Sequence, residues 1–108
     1  MSYGRELLKG NTDPLLLSLL GQRPMYGYEI IREVTRRSQG YFKFSEGTLY
    51  PALHRLEKAG LIEGRWEAAS GGQERRYYRT TEKGRKVLEE RRAEWKGFAR
   101  AVDLILGA

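Results

Sequence analysis

Between residues 42 and 64 the chain reads FKFSEGTLYPALHRLEKAGLIEG. Ser45, Thr48, Tyr50, His54, Arg55 and Lys58 bring hydroxyl, imidazole and cationic donors to one short segment. Leu49, Leu53 and Leu56, with Ala52 beside them, recur at helical spacing in the same segment. A second set, Arg75 and Arg76, stands just after Gly71 and Gly72. The chemistry these groups offer is hydrogen bonding and neutralisation of a polyanion. Bond-making chemistry is not expected. His54 is the one histidine and there is no cysteine, so neither a metal ligand set nor a thiol nucleophile can be assembled. No His-Glu metal motif and no glycine-rich phosphate loop after a strand occurs. No catalytic residue, metal or cofactor is expected.

The charge balance agrees with a polyanionic partner. Twenty Lys and Arg against fourteen Asp and Glu leave a net charge of +6 in 108 residues. That length suits one domain with a modest core, so a partner subunit would help to stabilise it. No apolar run reaches the roughly 18 residues of a membrane span, and the first residues lack a signal-peptide pattern. A cytoplasmic protein without membrane association is expected.

The elements that must position these side chains follow from periodicity. In LLKGNTDPLLLSLLGQRP, Asn11 or Thr12 would cap a helix, Asp13 suits its dipole and Pro14 its first turn. Leu15, Leu16, Leu17, Leu19 and Leu20 make that helix apolar on almost every side, as in a core centre or a helix that meets a second chain. Gly21 and Pro24 are expected to stop it. A second helix carries Ile30, Ile31 and Val34 on its apolar face, with Arg32, Glu33, Arg36 and Arg37 largely elsewhere and Gly40 at its end. Gly27, between Tyr26 and Tyr28, marks a close backbone approach. The third helix has Ser45 as N-cap and Ala59-Gly60 as its stop. Pro51 either starts that helix late, near Thr48, or bends it. Leu61, Ile62 and Trp66 on one side of ASGGQE, and Tyr77, Tyr78, Arg79 and Thr80 on the other, read as a β-hairpin. One of Tyr77 and Tyr78 should point inward. A long helix then follows Thr80 or Thr81. Its positions Leu88, Trp95 and Val102, and Arg91, Phe98 and Ile105, repeat every seven residues, and five of these six are apolar.

Three helices, a basic hairpin and a long terminal helix make the winged helix-turn-helix order: a mainly α protein with a small β-hairpin. The third helix would hold the domain through its leucines and offer Thr48, Tyr50, His54, Arg55 and Lys58 to a major groove about 12 Å wide. The hairpin would be the wing, with Arg75 and Arg76 near phosphates or a minor groove.

The blocks LLLSLLGQRPMYGYEIIREV, SEGTLYPALHRLEKAGLIEGRWE and GGQERRYYRTTEKGRKVLEE, with the Trp95 segment, resemble the PadR family of bacterial transcriptional regulators, in its small form with a single C-terminal helix. The resemblance implies a homodimeric repressor. Residues 1–80 would form the winged helix-turn-helix, whose N-terminal helix contributes to the dimer, and residues 81–108 the dimerisation helix. It further implies that a flat aromatic effector lies between paired tryptophans at the dimer centre.

Each candidate residue has a plainer alternative. Ser45, Thr48, Tyr50, His54, Arg55, Lys58, Arg75 and Arg76 form the candidate DNA-binding set. In the plainer alternative Thr48 only caps and Tyr50 only packs, Arg55 and Lys58 pair with glutamates of their own helix, and the wing arginines serve solubility. Leu7, Asp13, Pro14, Arg91, Trp95 and Phe98 would line the dimer centre, where Trp95 alternatively acts only as a seam anchor. Arg91 beside a tryptophan would suit an acidic aromatic compound. The partners expected are double-stranded DNA with a pseudo-palindromic operator, a second copy of the chain and a small aromatic effector. The rival readings are a winged-helix module that docks protein and a small-molecule carrier without DNA binding. An RNA partner lacks its usual aromatic platform.

Overall fold

The first helix, α1 (Thr12–Gln22), opens as its sequence requires, with Asn11 at the N-cap, Asp13 in the first turn and Pro14 where a missing N–H costs nothing. The fold is that of a computed structural model that describes residues 10–107. Leu7, assigned to the dimer centre, lies outside those residues. Leu16, Leu17, Leu19 and Leu20 are all buried, which places α1 at the centre of the core. Gly21 does not stop the helix. It lies inside α1, where a Cβ would come 3.9 Å from Thr80. The stop is Arg23, extended at φ −165° and ψ 158° because the residue before a proline is pushed out of the helical region.

The second helix, α2 (Gly27–Arg37), starts with a capping box in which Glu29 accepts the Tyr26 amide at 3.2 Å. Ile30 and Val34 face the core. Glu33, expected on the wet side, is also buried, because Arg36 and Arg37 fold over it. Gly40 turns the chain at φ +82°.

The third helix, α3 (Glu46–Lys58), buries Leu49, Ala52, Leu53 and Leu56. It begins at Glu46, ahead of Thr48, and Pro51 sits within it. The N–H that Pro51 lacks would have met the Gly47 carbonyl, and Gly47 is exposed to water. Its end is a Schellman motif. Leu61 N–H donates to Leu56 O at 2.9 Å, Gly60 N–H to Glu57 O at 3.0 Å, and Gly60 takes φ +79°.

The hairpin pairs β1 (Ile62–Ala68) with β2 (Glu74–Thr80) antiparallel, with Ile62 opposite Thr80 and Trp66 opposite Arg76. The return strand therefore starts one residue before Arg75. Gly71 and Gly72 close the turn at φ +78° and +77°. Opposite charges face each other at Glu63–Arg79 and Glu67–Arg75, which fixes the register. Ile62 and Tyr78 reach the core, whereas Trp66, on the same side but nearer the tip, overshoots it and is exposed. Met25 forms a bridge to Tyr78 that covers the free edge of β2.

Thr81 caps the last helix, α4 (Glu82–Leu106), by accepting the Gly84 amide at 3.1 Å, and donates to Gly60 O at 2.7 Å. Gly84 is needed there. Any Cβ would collide with the Leu61 carbonyl and come 2.7 Å from Thr80 Cγ2. Gly84 is the one fully buried residue of α4. Among the described residues, no helix is long and apolar enough to cross a membrane.

Candidate nucleic-acid interface

Because α3 buries positions 49, 52, 53 and 56, its outermost line is 47, 51, 54 and 58, that is Gly47, Pro51, His54 and Lys58. All four are exposed. Gly47 and Pro51 keep the first half of that line low, so a surface can approach closely. Neither His54 nor Lys58 is paired with a carboxylate among the described residues.

Ser45 and Thr48 hold the entrance of α3. Ser45 Oγ accepts the Thr48 amide at 3.1 Å and lies 3.2 Å from Thr48 Oγ1. Both hydroxyls are exposed, so capping and an outward contact are compatible. Tyr50 lies on one flank. Its ring packs on Gly27, where any added Cβ would collide with the Tyr50 hydroxyl. The close approach expected at Gly27 is thus made by a side chain and not by backbone. Tyr50 still keeps 46 % of its surface exposed.

Arg55 lies on the opposite flank and pairs with Asp13 of α1 at 2.5 Å, not with a glutamate of its own helix. Asp13, assigned to the dimer centre, is thereby joined to α3.

The wing arginines are built into the scaffold. Arg76 pairs with Glu57 of α3 at 2.5 Å and stands 5.7 Å from the rings of Trp66 and Tyr78. Its guanidinium lies against Gly64, where a Cβ would meet Nε at 2.7 Å. Burial pushes the Tyr78 hydroxyl pKa up, against the opposing pull of Arg76. Arg75 lies over the Tyr26 ring at 4.4 Å, and Tyr26 meets Tyr77 edge to face at 5.5 Å. Each arginine has donors left over, but its position is set by contacts inside the chain. Glu57 and Tyr26, which do this positioning, carry no periodic signal. The partners of the Glu57–Arg76 pair are 19 residues apart and in different elements.

Glu33 anchors a second cationic cluster on α2. It accepts from Arg36 at 2.8 and 3.2 Å and from Arg37 at 2.9 Å, and Arg37 reaches Gln22 of α1 at 2.6 Å. The hydrogen bonds from Arg36 and then Arg37 hold the Glu33 carboxyl at a pKa of about 2, against an ordinary 4.5.

On the side of α1 away from Arg55, a groove of about 760 Å³ runs between α1 and α4. Pro14, Arg91, Trp95 and Phe98, four of the residues assigned to the dimer centre, line this groove of the single subunit, and Leu15, Leu88, Tyr41 and Phe42 complete its apolar wall. Tyr41 and Phe42 were not anticipated, although two adjacent aromatics before a helix cap are a visible signal. Trp95 and Phe98 are about half exposed, with ring centroids 5.6 Å apart. Arg91 donates to Gly10 O at 2.9 Å and lies 3.5 Å from Glu94. Among the described residues, no group of three or more His, Cys, Asp or Glu stands ready to hold a metal.

Residues 16–90 match the family model described as the transcriptional regulator PadR-like family. An uncharacterised protein of Lysinibacillus sphaericus is 36% identical over 101 residues, covering 94% of this chain and 93% of its own. The transcriptional regulator Rv3488 of Mycobacterium tuberculosis is 38% identical over 78 residues, 72% of this chain and 69% of its own. The crystal structure of a PadR-like transcriptional regulator from Bacillus cereus superposes with a TM-score of 0.83 at 35% identity, covering 95% of this chain and 98% of its own.

Proposed function

The chain belongs to the PadR-like family of transcriptional regulators, DNA-binding proteins and not enzymes, and from that premise we propose that it is a homodimeric repressor of the cytoplasm. Each subunit lays α3 in a major groove of a pseudo-palindromic operator. The half-sites are then about one helical turn, roughly 34–36 Å, or a multiple apart. Ser45, Thr48, Tyr50, His54 and Lys58 make the direct contacts, Arg55 adds charge from the α1 flank, and Arg75 and Arg76 add it from the wing. The observation that carries this reading is the exposed line of Gly47, Pro51, His54 and Lys58 on a helix whose opposite face is wholly buried.

In this reading residues 1–80 are the DNA-binding unit and residues 81–108 the dimerisation helix. The exposed Trp95, Phe98, Leu104, Ile105 and Leu106 of α4 support the assignment. A flat aromatic effector between the two Trp95 rings changes the separation of the reading helices and so releases the operator.

The test is affinity for duplex selected from a random pool, measured at two salt concentrations. The log-log slope is expected near −0.9 per phosphate neutralised, and Lys58→Ala, which alters both subunits of the dimer, is expected to reduce it by about 1.8 with folding unchanged. A response that is flat in salt contradicts DNA binding. Quenching of Trp95 emission by planar aromatics in a Trp66→Phe background tests the effector. Quenching without any duplex affinity points to a small-molecule carrier instead.

A further inference from the structure

The first turn of α1 stands between the groove and the reading helix and is tied to both. Pro14 lines the groove, while the Asp13 carboxylate beside it faces away and holds Arg55 Nη2 at 2.5 Å, 42 residues distant in sequence. Just upstream, the Gly10 carbonyl accepts from Arg91 Nη2 at 2.9 Å, and Arg91 belongs to the groove. Gly10 takes the left-handed conformation, φ +80°, at the point that Arg91 holds. The helix itself needs neither tie. Asp13 already suits the positive end of the α1 dipole without a partner on α3.

Asp13 takes one nitrogen of a five-donor group. The Arg55 side chain is 58% exposed, and its Nε and Nη1 have no partner among the described residues. An arginine steadied at one nitrogen, with the rest of its fork open, is preorganised to bind a phosphate. The pair is also exposed enough to be weak, so a small movement of α1 suffices to release it.

We propose that Asp13 is a positioning residue that presents Arg55 to the DNA, and that the turn over residues 10–14 couples the groove to the reading helix through Arg91. A ligand that draws Arg91 off the Gly10 carbonyl, or wedges against Pro14, loosens Asp13 and leaves Arg55 unoriented. Groove occupancy then lowers DNA affinity within a single subunit, in addition to any change in the spacing of two subunits. This rests on α3 being the DNA-reading helix.

The experiment is a set of mutant cycles read by affinity for the selected duplex, using the intact protein without effector. Asp13→Ala and Arg91→Gln are each expected to weaken binding roughly two- to five-fold, the range of an exposed ion pair. In an Arg55→Gln background neither should have a further effect, and Arg91→Gln should be silent once Asp13 is Ala. A purely structural Asp13 would lower Tm and leave the affinity cycles additive. Additive cycles, or tighter binding by Asp13→Ala from simple loss of a negative charge, overturn the proposal while leaving the DNA-binding reading intact. If the unmutated protein binds no duplex even at low salt, the reading of α3 fails and this proposal falls with it.

Discussion

The helices α3 and α4 are both amphipathic, yet they complete their apolar surfaces differently. In α3 every large aliphatic residue is buried within the chain, Leu49, Leu53 and Leu56 each at 1% exposure or less. In α4, twice as long, Trp95, Phe98, Leu104, Ile105 and Leu106 are all more than half exposed. Its N-terminal half meets the rest of the fold, through Gly84, the half-buried Val87 and Leu88, and the Arg91 hydrogen bond to Gly10 O. One helix is positioned by its own domain and turns a polar face outward. The other leaves Trp95, Phe98, Ile105 and Leu106 uncovered along one side. The polar face of α3 therefore suits a polar partner that comes and goes, and the apolar face of α4 a lasting one.

Three measurements break or sharpen this contrast. The largest effect is expected from Phe98→Asp with Ile105→Asp, which puts charge on the uncovered face. Sedimentation should show a monomer, helicity of the winged domain should persist, and affinity for a two-half-site duplex should drop by about 10²–10⁴, the gain that joining two sites confers. A monomeric unmutated protein would falsify the contrast itself. The next effect belongs to α3. Leu53→Ala should cost about 2–5 kcal/mol of stability by leaving a cavity, read by denaturant unfolding, whereas Leu104→Ala should cost the isolated subunit almost nothing. The smallest concerns Glu33, which lies outside both helices. Its folded pKa lies below its unfolded value, so its contribution is full above pH 4.5 and is lost as the pH falls towards 2. Glu33→Gln should be less stable at neutral pH and should flatten the acid limb of a Tm–pH curve over that interval.

Much of the fold was legible because its signals are local. Ser45 as the cap of α3, Thr80 or Thr81 as the cap of α4, the Gly60 stop and the Gly71-Gly72 turn each depend on residues a few positions apart, and the structure chooses Thr81. Gly21 misled for the same reason. A glycine near a helix end resembles a stop, but Gly21 lies within α1, packed beside Thr80, 59 residues away in the chain, and the helix runs on to Gln22. Pro51 did not set the start of α3, since the Ser45 cap and the buried leucines outweigh one missing hydrogen bond at an exposed carbonyl.

The candidate site divides along the same line. Which residues are cationic, and which of them share the outer line of α3, follows from composition and a period of 3.6, so the sequence by itself determined the groups available to a polyanion. Where those charges are held was decided by tertiary structure. Asp13 meets Arg55, Glu57 meets Arg76, and Tyr26 lies under Arg75 only because helices and a strand distant in sequence pack side by side. Ion pairs and cation–π contacts depend on separations of a few ångströms, and no periodicity along the chain encodes distances between elements.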